Sequence, residues 1–472
     1  MMKQGAFLVV LSAVLWACSH QPLPHAQRPA VNESLPLHWS THTAQDAVIP
    51  FWLTSLSTPE LRQLWMNVLQ HNPTLQAAAA RVEQSRWKRA ELHTNSRPQW
   101  SSELKTTRGR QQKQTESRQR LGFDVAWEWD VWDRLTSESA ESDADWQAMQ
   151  ADWQAAKWSL LAQLAKHWFT AVGLQQKQRL LDQTIASLKH NLNIVETGYQ
   201  RGIGQALDVH LINAELARAR SRQLTIRRDR QIALRTLDVL SGHYPSGLLS
   251  PVEELPLLTA AVPAGLPGSF LQRRPDIRAA GQRLEAAFHQ QQHRLKASLP
   301  AIRLSAEGGL SSDSLKLLLQ PGQLIWQLGA GLTYRLFDGE RQQAEAQRQQ
   351  ARLQEYVADY RRVVLDAFRE VEVALSAESL LRQQQVLMQR AVSESKKAEQ
   401  LALGQYQSGL STVVTLLEAQ RRHFEARISL LKVRQERLQN RLNLHLALAG
   451  GFVDNETETA REKPSVGKVD DT

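Results

Sequence analysis

The sequence predicts a mixed α+β membrane protein in which a few strands and a few very long helices occur twice over. Three observations carry this reading. First, "LQRRPDIRAAGQRLEAA" (271–287) echoes "LQHNPTLQAAAARVEQS" (69–85). Pro73 matches Pro275, Leu75 matches Ile277 and Arg81-Val82-Glu83 matches Arg283-Leu284-Glu285, all 202 positions apart. Second, no proline falls between Pro98 and Pro245 or between Pro321 and Pro464, and both stretches carry apolar residues at alternating steps of four and three. Third, segments of strict polar–apolar alternation lie among these helical tracts.

The chain opens with Lys3, the apolar run Ala6–Val14 and Leu15-Trp16-Ala17-Cys18. A basic start, a short apolar core and small residues before a cut describe an export signal over 1–17. Leu-x-Ala-Cys at its end resembles a bacterial lipoprotein signal, in which the cysteine becomes the lipidated first residue. Ser19 follows, in place of the aspartate that retains such proteins at the inner membrane, so the outer membrane is the expected destination. Cys18 is the only cysteine, which excludes disulfides and cysteine metal sites. No later run reaches the ~18 apolar residues of a spanning helix. If the chain crosses a membrane, it does so as a closed barrel.

Residues 18–58 read as a lipidated, extended N-terminal segment. The first repeat covers 59–241, with an opening helix near 59–95, a helix of roughly 60 residues from Ser139, and a return helix near 206–241. Leu181, Ile185, Leu188, Leu192, Val195 and Tyr199 form its seam. Five prolines between 245 and 267 mark a linker over 242–269. The second repeat, 270–450, has an opening helix near 274–297, a helix of about 68 residues from Glu340, and a return near 411–449. Its seam is Leu353, Val357, Tyr360, Val364, Ala367, Val371 and Ala374. The return helices are shorter than the long ones, so the opening helices are expected to stack above them. The polar tail 451–472 reads as disordered.

Between the helices, Leu121, Phe123, Val125, Trp127, Trp129 and Val131 alternate with Gly122, Asp124, Ala126, Glu128 and Asp130. Leu328, Ala330, Leu332, Tyr334 and Leu336 alternate with small and polar residues in the second copy. Each segment is preceded by another, around Trp100–Thr106 and Ile302–Gly308. Strands of ~10 residues with an apolar outer and a polar inner face suit an outer-membrane barrel better than a soluble sandwich edge. Phe123, Val125, Trp127, Trp129, Leu332 and Tyr334 are then expected to face lipid, and Asp124 and Glu128 the lumen. Four strands cannot close, since the smallest such barrels have about eight. The chain must oligomerise, and the duplication becomes pseudo-symmetry around a pore.

The stretches "RRPDIRAAGQRLEAA", "LKASLPAIRLSAEGG" and "YRLFDGERQQAEA" are similar to the second-repeat signature of the TolC-like outer-membrane efflux ducts, lipoprotein branch. "HNPTLQAAAARVEQS", "WDVWDR" and "GYQRGIGQALDV" resemble the first. The resemblance covers about 60–450. It implies a homotrimer with a 12-stranded barrel continuing into an α-helical periplasmic tunnel. It also implies passive conduction from an inner-membrane pump, of the RND multidrug type, through a periplasmic adaptor. On this resemblance the helix turns at 198–205 and 404–411, with Gly202, Gly204 and Gly409, receive the adaptor's hairpins. The family's gate acids map to Thr415 and Glu418, so one acid is present. Its gate arginine maps to Ser411, leaving Asp208 without that partner. Glu418 is then expected to form a negative ring in the assembled mouth.

No phosphate-cradling loop, His-Glu-x-x-His, nucleophile elbow or acidic metal cluster occurs, and the 14 histidines are scattered. An enzyme is therefore the weaker class, and no cofactor is expected beyond lipid on Cys18. The net charge of +9 is spread along helical faces without a Lys/Arg block, so no nucleic-acid partner is expected. A protein-secretion duct of the same fold and a pore-less coiled-coil lipoprotein are the rival readings. The lipoprotein signal and Arg273-Arg274-Pro275-Asp276 argue against the first, and the alternating strands against the second. In that four-residue motif Pro275 suits a first helical position and Asp276 complements the positive helix end.

Overall fold

The computed structural model describes residues 39, 58–111, 114–249, 251, 254–258, 271, 273–335 and 337–448. The signal, Cys18, nearly all of the N-terminal segment, much of the linker and the tail lie outside them. The first repeat is α1 (Pro59–His71), α2 (Pro73–Thr94), β1 (Gln99–Gln111), β2 (Gln114–Trp129), α3 (Arg134–Gln200) and α4 (Ala206–Leu240). The second is α5 (Pro275–Lys296), β3 (Ala301–Ser312), β4 (Leu324–Thr333), α6 (Arg341–Gln407) and α7 (Val413–Ala447).

The duplication is realised element by element. α2 and α5 have 22 residues each, α3 and α6 have 67, and α4 and α7 have 35. Both long helices follow a non-glycine residue at positive φ, Asp133 (56°) and Glu340 (65°), at equivalent positions. The seam residues are buried or half-buried in both copies, except Tyr199, which is exposed where α3 ends.

Three boundaries differ from the sequence expectation. The opening helix of the first copy is two helices, because Pro73 has no N–H and clashes with a continuing turn. Asn72 manages the break: its backbone N–H donates to the Val68 carbonyl and its Oδ1 accepts from the Leu75 N–H at 2.9 Å. α3 begins at Arg134, five residues early, since Asp130 Oδ1 and Oδ2 accept from Leu135 N–H (3.0 Å) and Thr136 N–H (2.8 Å). β4 stops at Thr333 opposite Ala301, so Tyr334 lies beyond the strand. Pro300, next on the partner strand, offers no N–H to prolong the ladder. Val131 likewise lies in the turn after β2.

The four strands form one antiparallel sheet in the order β1-β2-β3-β4. Among the described residues, one edge of β1 and one edge of β4 are unpaired. By compactness the chain divides into two units that cut across the repeats. One takes Ala80–Ala151 and Arg278–Val363 and holds the sheet; the other takes Ser34–Ala79, Asp152–Ile277 and the residues from Val364 on. The repeats are thus not two compact bodies.

The second unit has a continuous apolar core. Leu61, Leu64, Trp65 and Val68 of α1 pack with Leu161, Leu164, Trp168 and Phe169 of α3, Leu234 and Leu237 of α4, and Leu438 and Leu442 of α7. Each such side chain contributes roughly 1.5–3 kcal/mol by leaving water. Further along, Leu181, Ile185 and Leu188 meet Leu216 and Ala219, and finally Val195 meets Ile212 and Val413. Among the described residues no helix is long and apolar enough to cross a membrane.

Candidate functional site

Residues directly opposite in adjacent strands point to the same side of a sheet. The register aligns Trp100, Val125, Ala306 and Leu328 in one row, and Trp127, Leu304 and Ala330 in another. Leu121, Phe123, Val125, Trp127 and Trp129 therefore share one face with Ile302, Leu310, Leu324, Trp326 and Leu332. The opposite face carries Glu103, Lys105, Arg120, Asp124, Glu128, Arg303, Glu307 and Gln327. Charges there are paired: Arg120 reaches Asp124 on its own strand (3.1 Å) and Glu307 on β3 (2.9 Å), and Arg134, at the start of α3, reaches Glu128 (2.7 Å).

The apolar face is bounded by aromatic rings whose polar ends are tied to backbone. Trp127 Nε1–H donates to the Ser96 carbonyl (3.0 Å) and Trp132 Nε1–H to the Pro300 carbonyl (2.8 Å). Amphipathic indoles held in this way suit the girdle of a membrane interface. Trp132 was not singled out by alternation, because it lies past the strand. Tyr334, expected on the lipid face of β4, stands instead just outside the ladder beside this group of turns.

At the far ends of the long helices, the two turns are built alike. After α3, Gly202 has φ 77°, its N–H donates to Tyr199 O (2.9 Å), and Ile203 N–H donates to Gly198 O (2.9 Å). After α6, Gly409 has φ 73°, its N–H donates to Tyr406 O (3.0 Å), and Leu410 N–H donates to Gln405 O (2.8 Å). Both are Schellman closures with glycine in the left-handed position. That motif commonly buries its following apolar residue, yet Ile203 is 84% and Leu410 80% exposed. Gly204 has a different constraint: a Cβ there would come within 3.0 Å of the Tyr199 nitrogen. The glycines thus close the turns and leave two apolar side chains at their tips.

Of the positions expected at a gate, Asp208 sits in the first turn of α4 and acts on Tyr406, whose hydroxyl is pushed up first by burial and then by this carboxylate. Ser411 lies between the α6 turn and Thr412. Thr415 belongs to a cap: its N–H donates to Thr412 Oγ1, which begins α7. Glu418 is not the lone acid the sequence suggested. It is bonded to Arg422 (2.7 Å) and Arg421 (2.8 Å), whose hydrogen bonds hold it below the usual carboxylate range. Arg421 also pairs with Glu425 (2.9 Å). The spacing of i+3 and i+4 on one helix is the signal in the sequence for these pairs, and the comparison of acid positions alone does not contain it. Two more polar links cross this region, His423 with Glu399 and Gln420 Nε2–H donating to Ser187 Oγ (3.0 Å).

The Arg273–Asp276 motif resolves into distinct roles. Arg273 is exposed, Pro275 opens α5, and Asp276 Oδ1 accepts from the Ile277 N–H (3.0 Å). Arg274 is 7% exposed. It binds Asp276 (2.6 Å) and Glu370 (2.8 Å), and its Nη1–H donates to the Ala447 carbonyl (3.1 Å), the last residue of α7. In the first copy, Asn72 holds the matching position before Pro73. Its Nδ2–H donates to the carbonyl of Leu240, the last residue of α4, at 2.7 Å. Each opening helix is therefore joined end to end with the return helix of its own copy, through a side chain that satisfies an orphan terminal carbonyl.

Cys18 lies outside the described residues. Among those described, no group of His, Cys, Asp or Glu could hold a metal ion.

A sheet with one apolar face, helices of 67 residues and a pair of matched turns is an arrangement found in known proteins. The chain is 29% identical over 473 residues to the pyoverdine export outer membrane protein OpmQ of Pseudomonas putida, covering 94% of this chain and 97% of that one. It is 27% identical to the toluene efflux pump outer membrane protein TtgC of Pseudomonas putida, covering 99% of each. The solved outer-membrane channel OprN superposes with a TM-score of 0.85 at 26% identity, over 91% of this chain and 98% of that one. The open state of the Neisseria gonorrhoeae MtrE channel shares the fold, with a TM-score of 0.82. The model of the outer membrane efflux protein family matches residues 64–243 and 266–450, and the chain belongs to that family.

Proposed function

We propose that the chain is the exit duct of a tripartite efflux system, a homotrimer that passively conducts cargo from an inner-membrane pump and a periplasmic adaptor across the outer membrane. The observation that carries the reading is the single four-stranded sheet with one apolar face and two unpaired outer edges. A lone sheet of that kind would expose both a hydrophobic surface and a template for strand addition. Three copies joined β4 to β1 pair every edge, giving twelve strands, and lipid around the closed barrel covers the apolar face. From Leu121 to Trp129 the apolar row rises ~27 Å along the strand, or ~20 Å along the membrane normal at a tilt of about 40°, near the apolar height of an outer-membrane barrel.

Helices of 67 residues extend about 100 Å, a length suited to lining a periplasmic passage. Their turns expose Ile203 and Leu410, which fit the apolar hairpin tips of an adaptor, with the pump beyond it of the RND type. A covalent lipid on Cys18 would add an anchor in the same membrane. The chain supplies a wall and a gate, and catalyses no reaction. One relative is named for pyoverdine and another for toluene, which supports a duct whose cargo is chosen by the pump. The test is deletion of the gene in its own cell. Accumulation of at least one pump substrate should rise, with pump and adaptor abundance unchanged, and a plasmid copy should reverse it. Unchanged accumulation across the pump's substrates would count against the proposal.

A further inference from the structure

The polar face of the sheet contains an arrangement that simple alternation does not require. The register places Ser101, Asp124, Glu307 and Gln327 in one row across the four strands. Asp124 and Glu307 are thus directly opposed carboxylates, a pairing that is unfavourable on its own. Arg120, one turn of the pleat along from Gly122, reaches back over that glycine and donates from Nη2 to both acids, at 3.1 and 2.9 Å. A Cβ on Gly122 would stand 3.1 Å from Arg120 Nε and 3.5 Å from Nη2, so the missing side chain is what leaves the path open. Glu103 faces Gly122 from β1, and Lys105 faces Arg120.

We propose that Arg120 is a specificity-determining residue of the duct, setting the charge preference of the barrel by occupying the Asp124–Glu307 pair and denying it to passing cations. The inference rests on the barrel reading, in which this face lines the lumen. In the rows from Asp124 to Arg120, the two cations Lys105 and Arg120 stand against the three anions Glu103, Asp124 and Glu307, leaving one net negative charge per chain. Without Arg120 the net charge is two negative, and the two acids become a bare, close pair in each of three chains. Paired carboxylates on an aqueous wall attract divalent cations and slow their passage. With Arg120 in place the belt is nearly balanced, a wall that charged cargo of either sign can pass.

The experiment is single-channel recording of purified full-length protein in planar bilayers under a KCl gradient, with calcium added on the hairpin side of the barrel. Arg120→Gln should raise the K+/Cl− permeability ratio on the order of fivefold, from the loss of one unit charge at close range in water. It should also bring calcium block to about tenfold lower concentration. Arg120→Lys, which keeps the charge, should stay within twofold of wild type in permeability ratio. The double variant Asp124→Asn/Glu307→Gln, which leaves no like-charge pair to disturb assembly, should shift the ratio toward chloride. A residue that only held the sheet together would alter trimer yield and leave these ratios alone. The proposal is overturned if Arg120→Gln or the double variant conducts with wild-type selectivity and wild-type calcium sensitivity. A wild-type protein that inserts but does not conduct would instead overturn the barrel reading.

Discussion

Replacing Arg274 with alanine tests how the opening helix of the second repeat, α5, is held to its return helix, α7. The guanidinium donates to both oxygens of Asp276, to Glu370 and to the Ala447 carbonyl, and it is 7% exposed. Its two carboxylate partners are 40% and 45% exposed, so water recovers much of what they lose. The buried carbonyl at the end of α7 has less recourse, and an unsatisfied group of that kind costs about 1–3 kcal/mol. Adding a discounted share for the charged bonds gives about 2–4 kcal/mol for Arg274→Ala. The neighbouring Arg273→Ala, at an exposed site, should stay within about 0.5 kcal/mol. Arg274→Lys should recover less than half, since an ammonium cannot span three partners. Asn72→Ala should cost about 2 kcal/mol, as it removes both a helix cap and the bond to Leu240. Guanidinium unfolding in detergent micelles, followed by circular dichroism, measures each midpoint. Equal midpoints for Arg274→Ala and Arg273→Ala would refute the joint.

Four further outcomes follow from the same geometry. Val125→Arg should destabilise the assembled barrel by about 2–4 kcal/mol if it lies near the membrane midplane, whereas Asp124→Arg should assemble and change ion preference, as read from trimer yield and bilayer recordings. Valine at Gly202 and Gly409 together forces a β-branched residue into positive φ beside the exposed Ile203 and Leu410, and should abolish efflux in a dye-accumulation assay while leaving trimer abundance near normal. Burial beside Arg441 pushes His445 down to about 4. Being depressed from 6.5, its contribution of about 3 kcal/mol is present above that pH and is lost as pH falls toward 4, so unfolding midpoints should drop over this window in wild type and much less in His445→Gln. Cys18→Ser should remove acylation, detected by mass, and still leave trimer in the outer membrane, because one lipid anchor adds little beside a closed barrel.

The periodic features of the fold were legible in the sequence. Prolines bracket the long helices, and period-two polarity locates the strands because each sheet face meets a different solvent. The joints were less visible. Asn72 with Leu240 is a contact across 168 positions, and nothing near Asn72 announces its partner. Arg274 was read with its neighbours as a helix start, which describes Pro275 and Asp276, while its own side chain turns to α6 and α7. The early start of α3 escaped because Asp130 continues the strand pattern while its carboxylate already caps the helix, held below the usual range by backbone N–H groups despite burial. At the turns, glycine positions were readable from their positive-φ chemistry. The pairing of Glu418 was not drawn, although Arg421 and Arg422 stand at helical spacing from it.

On the function proposed for this chain, three copies of it enclose a continuous water-filled passage through a membrane. Purified full-length trimer incorporated into planar lipid bilayers should give discrete current steps of one unit size, and Asp124→Arg should change their ion preference without changing how often they occur. Bilayers that contain inserted trimer, shown by protease protection of the barrel, and that carry no steps would contradict it.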